Sequence, residues 1–164
     1  MSGDRVDASV KRHLPYFGAL RQLSLSCGAS AGEAYRFAQF EMVDAPTVVH
    51  IERREDGSTV LHVAQLEGPT WRGPGQRTLV ESLDVPTGAW EPLQAAVSAA
   101  RFWELAPYEP WEGDDGSAWF LEARRGWSYH VVLRISPPDG PFRQLGELML
   151  SLARPPLPEQ KAPR

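Results

Sequence analysis

Apolar and polar residues alternate with period two over several separate stretches of this chain, and the sharpest runs come in pairs joined by turn residues. Residues 118–124 and 129–135 are rich in aromatic and β-branched side chains and flank Arg125-Gly126-Trp127-Ser128, the composition of two strands joined by a tight reversal. Side chains alternate across a strand, so Trp119, Leu121 and Ala123 are expected on one face, with Tyr129, Val131, Leu133 and Ile135 forming the matching core face of the partner. That register places Glu122 opposite His130 and Trp119 opposite Leu133. Phe120, Glu122, Arg124, His130, Val132 and Arg134 then share the other face.

A second pair, residues 47–54 and 58–66, flanks Glu55-Asp56-Gly57. A three-residue loop with Gly57 in the left-handed conformation pairs Val49 with Val63 and Ile51 with Leu61. It also sets His50 opposite His62, with Glu52 one step along on the same face. A two-residue Asp56-Gly57 turn would instead send the histidines to opposite faces. Further strands are expected at Leu23–Cys27, Tyr35–Met42 and Gln76–Asp84.

The period lengthens in two places. Trp90, Leu93, Val97 and Ala100 form an apolar stripe in a helix expected over 88–105, with Thr87 as its N-cap and Phe102 and Trp103 closing its end. Phe142, Leu145, Leu148, Met149 and Leu152 form another over 140–153, capped by Asp139. The predicted architecture is α+β, an antiparallel sheet of about five to seven strands built from hairpins, with both helices packed on one face. The domain spans 23–153. It follows an arm or short helix over 1–22, interrupted by Pro15, and precedes a proline-rich tail over 154–164.

Composition narrows the class. With 42% hydrophobic and 23% charged residues the chain reads as soluble and globular. A net charge of −4 with no basic run longer than a pair argues against a nucleic-acid partner. No segment approaches the length of a membrane span, and Cys27 is the only cysteine, so a cytoplasmic location is expected and no intrachain disulfide forms. Cys27 reads as a small buried side chain rather than a nucleophile.

Few residues suggest chemistry. His50, His62 and Glu52 on one face have ligand character for a transition metal, but no third protein ligand is evident, and solvated outer-face histidines satisfy the same pattern. A Glu122–His130 pair suits proton transfer, yet cross-strand charge pairing on a solvent-facing sheet surface is the stronger reading. Residues 68–76 are Gly/Pro-rich without the Lys-Ser/Thr of a phosphate loop. Glu109, Glu112, Asp114 and Asp115 lack the spacing of a calcium loop. No catalytic residue and no cofactor or metal is assigned.

The run Phe102-Trp103-Glu104-Leu105, then Asp115-Gly116 with Trp119 and Glu122, then Tyr129-His130 with Arg134 and Ser136-Pro137 resembles the signature of a family of small uncharacterised bacterial proteins. The likeness extends more weakly through Tyr35-Arg36-Phe37 and Pro46-Thr47-Val48-Val49, covering residues 23–153. It implies no activity, because the family has no established function or catalytic residues. In this motif Trp119 and Tyr129 are expected to fill the core.

These readings combine into an expected non-enzymatic interaction module. Its surface is the sheet face away from the helices, made of His50, Glu52, His62, Phe120, Glu122, His130 and Arg134, and its partner is a protein. The alternative is a metal-dependent or acid–base enzyme using His50, His62, His130 and Glu122, which requires the three histidines to converge.

Overall fold

The computed structural model describes residues 25, 32–41, 44–68, 76–85, 88–110 and 116–153. Six strands form one antiparallel sheet: β1 (Glu33–Phe40), β2 (Thr47–Arg53), β3 (Thr59–Leu66), β4 (Arg77–Asp84), β5 (Ala118–Arg125) and β6 (Ser128–Ile135). Their spatial order is β4-β3-β2-β1-β5-β6. The first four strands make a meander, and the β5–β6 hairpin joins it by pairing β5 with β1. Among the described residues two helices join the sheet in an α+β fold, α1 (Trp90–Ala99) and α2 (Pro141–Leu152), with a 3₁₀ turn at Phe102–Glu104. The expected terminal arm and tail, the loop over 69–75, Cys27, Glu112, Asp114 and Asp115 lie outside the described residues, as does all of the expected 23–27 strand except Leu25.

The β2–β3 hairpin has its expected register. His50 faces His62, Val49 faces Val63 and Ile51 faces Leu61. Gly57 takes φ 82°, its N–H donates to Arg54 O, and the Arg54 N–H donates to Ser58 O. These bonds close the three-residue loop, where a Cβ-bearing residue would be strained.

The β5–β6 hairpin departs from expectation by one residue. The reversal contains two residues, Gly126 and Trp127, with Arg125 paired to Ser128. Gly126 sits at the first central position with φ 57°, as a II′-type turn requires. Trp119 therefore faces Arg134, Leu121 faces Val132, Glu122 faces Val131 and Ala123 faces His130. A one-residue shift exchanges the two faces of β6. Val132 enters the helix-side core, whereas Val131 and Leu133 pack on the opposite side with Phe120. Tyr129 does not fill the core and is 38% exposed.

Apolar side chains occupy both faces of the central strands. On the helix side, Tyr35, Phe37, Val49, Ile51, Leu61, Val63, Trp119 and Leu121 pack under Trp90, Leu93 and Val97 of α1 and Leu145 and Met149 of α2. On the other side, Ala38, Phe40, Val48, Ala64, Leu66, Ala118, Phe120 and Leu133 form a second cluster. Tyr108, bridged in parallel to Leu133, lies against it. Strand β5 is buried from Ala118 to Arg124, the pattern of a strand covered on both faces rather than one facing water.

The helix ends also differ from expectation. Ala89 precedes α1 without a side-chain cap, so Pro92 lies in the first turn, where its missing N–H leaves no helical bond unmade. Gly140, not Asp139, precedes α2, and Pro141 fills its first position. Leu150 rather than Leu148 packs from α2 onto the core. Beyond α1, Arg101 adopts φ 47° and ψ 41°, a left-handed conformation that costs a non-glycine residue on the order of 1 kcal/mol.

Gly146 sets how closely α2 approaches the sheet. A Cβ there would lie 2.5 Å from a Trp119 ring carbon and 2.8 Å from one of Phe37, and both rings are fully enclosed. We expect Gly146→Ala to destabilise the protein by about 1–3 kcal/mol in urea unfolding, despite alanine's better helix propensity.

Candidate functional site

The seven expected surface residues divide between the two sheet faces. His50, Glu52, His62, Phe120 and Glu122 face away from the helices, while the shifted register turns His130 and Arg134 towards the helix side. His130 packs edge-on against Phe102 with ring centroids 5.1 Å apart. Its Nε2 lies 3.0 Å from Leu105 O, and a carbonyl only accepts, so this nitrogen carries the proton. Arg134 donates to Leu133 O, Ala106 O and Glu109. It thereby ties the segment after the 3₁₀ turn to the edge strand. Both residues hold the fold together at these contacts, and Glu109 serves as an ion-pair partner there.

The face away from the helices is not an open polar surface. Glu122 is 0% exposed, Arg36 2%, Arg124 6% and Phe120 6%. Arg36 stands directly opposite both His50 on β2 and Glu122 on β5. The Arg36 guanidinium forms an ion pair with Glu122 Oε1. Glu122 Oε2 accepts from the Tyr129 hydroxyl at 2.9 Å and from the Leu25 backbone N–H at 3.2 Å. Burial lowers the Arg36 pKa to about 10, which leaves it charged at neutral pH. A carboxylate so enclosed needs these donors, because a buried charge without them would be driven to neutrality.

His50 and His62 lie across from one another with ring centroids 5.8 Å apart. His50 Nε2 is buried without a hydrogen-bond partner. Burial, reinforced by His62, Arg36 and Arg124, pulls the His50 pKa down to about 4, so the ring is neutral at physiological pH. Glu122 and His130 are on opposite faces of the sheet, which removes the proposed proton-transfer pair and the convergence of three histidines. Among the described residues no group of three or more His, Cys, Asp or Glu side chains is placed to hold a metal ion. None of the described helices is long and apolar enough to cross a membrane.

The exposed functional groups gather at one end of the sheet. The β2–β3 loop and the β5–β6 turn lie at the same end, because Glu33 pairs with both Arg53 and Arg125. Arg53, Arg54 and Arg125 are exposed there. Trp127 is 96% exposed at the tip of the turn, beside Tyr129. Arg125 is held in place: it donates through Nε to Glu33 at 2.8 Å and through Nη2 to Tyr35 and Gln94. It also lies 5.3 Å above the Trp103 ring. Burial and the neighbouring Glu33 push the Tyr35 pKa up to about 12, so the phenol keeps its proton and donates to Glu33.

No family model matches the chain, and no curated protein matches it. Site assignment therefore rests on geometry. Sequence reasoning passed over Trp127 because it fell in a turn, although an indole in a two-residue reversal serves no need of the turn itself.

Two outcomes test the buried row. Arg36→Met leaves Glu122 buried without its cation and should cost about 3–5 kcal/mol, while Arg36→Met combined with Glu122→Leu should be more stable than Arg36→Met alone. Both are read by denaturant unfolding. The second outcome concerns pH. His50 is protonated in the unfolded chain below about 6.5 but in the folded protein only below about 4. Its stabilising contribution is complete above pH 6.5 and is lost as pH falls towards 4, by roughly 3 kcal/mol. Around it stand His62, Glu52, Arg36, Glu122 and Arg124, so the readout is the difference between wild type and His50→Gln. The variant should lose less stability across that interval.

Proposed function

We propose that this protein is a non-enzymatic interaction module that binds a protein partner through the end of the sheet carrying Trp127, Tyr129, Arg125, Arg53 and Arg54. One observation carries the reading. Trp127 is 96% exposed, on a turn whose geometry asks only for Gly126. Tryptophan, tyrosine and arginine are the residue types that most often anchor protein interfaces, and this end presents all three on a rigid hairpin. Arg125, fixed by Glu33, Tyr35 and Gln94, loses less conformational freedom on binding than an unrestrained arginine would.

The expected surface is thus moved from the middle of the sheet to its edge. Of the earlier candidates, Phe120 and Glu122 belong to the interior, and only Glu52, next to Arg53, adjoins the new surface. The single cysteine and the resemblance to bacterial proteins support a reducing, cytoplasmic setting in a bacterium. The negative net charge supports a protein rather than a nucleic-acid partner.

Trp127→Ala should change stability by less than about 0.5 kcal/mol, since the side chain is almost fully exposed. It should also remove the proteins that wild type captures by affinity purification, whereas Trp127→Phe should retain part of them. An unchanged captured set with Trp127→Ala would refute the assignment.

A further inference from the structure

A cleft of about 330 Å³ opens between the C-terminal end of α1 and the sheet, lined by Gln94, Val97, Arg101, Phe102, Trp103 and Arg125 among others. Three features of its lining bear on what it could hold. Arg101 is held left-handed at φ 47° in the position after the helix where glycine would be unstrained. The Trp103 Nε1–H is buried with no acceptor. The Arg125 guanidinium is fixed over the Trp103 ring by bonds through Nε and Nη2, in which Nη1 takes no part.

Donors outnumber acceptors in this cleft. Gln94 Oε1 accepts from Arg125, and Glu104 accepts from Arg101 through Nη2 only, which leaves the Arg101 Nε and Nη1, the Arg125 Nη1 and the indole N–H. A donor-rich pocket calls for an acceptor-rich ligand. Val97 and Phe102 supply apolar wall, and the volume lies at the lower end for small-molecule sites. The carbonyl end of α1 and the Glu104 carboxylate disfavour a second negative charge, which selects a monoanion over a phosphate dianion.

We propose that this cleft binds a small carboxylate with a flat apolar body, its carboxylate held by Arg101, Arg125 and the Trp103 indole N–H. Arg101 then carries its strain for the ligand, a common arrangement at binding sites.

The test is a titration of the full chain with phenylacetate, followed at the indole N–H resonances in nitrogen-15 spectra. Trp103→Phe identifies the Trp103 signal. Phenylacetate should shift that signal saturably, with phenylacetamide and inorganic phosphate at least about tenfold weaker. Arg101→Gly should raise the melting temperature by about 2–4 °C while weakening phenylacetate on the order of tenfold. A Trp103 signal unmoved by millimolar phenylacetate overturns the proposal. So does equal binding of phenylacetamide, preferential binding of phosphate, or undiminished binding by the Arg101→Gly protein.

Discussion

The ion pair between Arg36 and Glu122 is the contact on which the rest of the sheet depends. It sits where the β5–β6 hairpin meets the meander, at the junction between strands that are not consecutive in sequence. Pairing β1 with β5 closes a long loop and carries no register information of its own. A slip of one residue there would put Glu122 among the aromatic rings of the helix-side core, an arrangement with no donor for it. With the pair in place, Phe37 and Leu121 face the helices together, while Ala38 and Phe120 face the other way. A buried ion pair adds little net stability against an apolar substitute, but here it distinguishes one pairing from its neighbours.

Two layers of side chains are organised around that junction. Under the helices, Gly146 lets α2 settle onto Trp119 and Phe37, and α1 adds Trp90, Leu93 and Val97. On the far side, the Leu25 N–H reaches Glu122, and Tyr108 lies along β6 beside Leu133. Arg134, enclosed at the sheet edge, secures this second segment through Ala106 O and Glu109. Of the polar residues expected on a recognition face, Glu122 is instead enclosed in the protein and paired with Arg36. His50 shows the limit of that arrangement, as a ring kept neutral chiefly by burial, with His62 and two neighbouring arginines adding to it.

At the end of the sheet, Arg125 joins two features. Its bonds to Glu33, Tyr35 and Gln94 tie β5, β1 and α1 together, and its stacking on Trp103 shapes the cleft beneath α1. The same residue leads into the turn that presents Trp127. The proposed protein-facing surface and the proposed small-molecule pocket thus share one residue, Arg125.

Local sequence determined the elements. The α+β class and the helix stripes of Trp90, Leu93 and Val97 and of Leu145 and Met149 were legible from periodicity, and the β2–β3 register was favoured by its matching apolar partners, although Asp56-Gly57 also admits a two-residue turn. The β5–β6 register was not, since both of its faces carry apolar residues and alternation cannot choose between them. The uninterrupted run Ala118-Trp119-Phe120-Leu121 was the available sign that β5 is covered on both sides. What only the tertiary structure decided was which groups are dry. Glu122, Arg36 and His50 take their character from strands and segments remote in sequence, and burial is a property of the assembled sheet that no local spacing encodes.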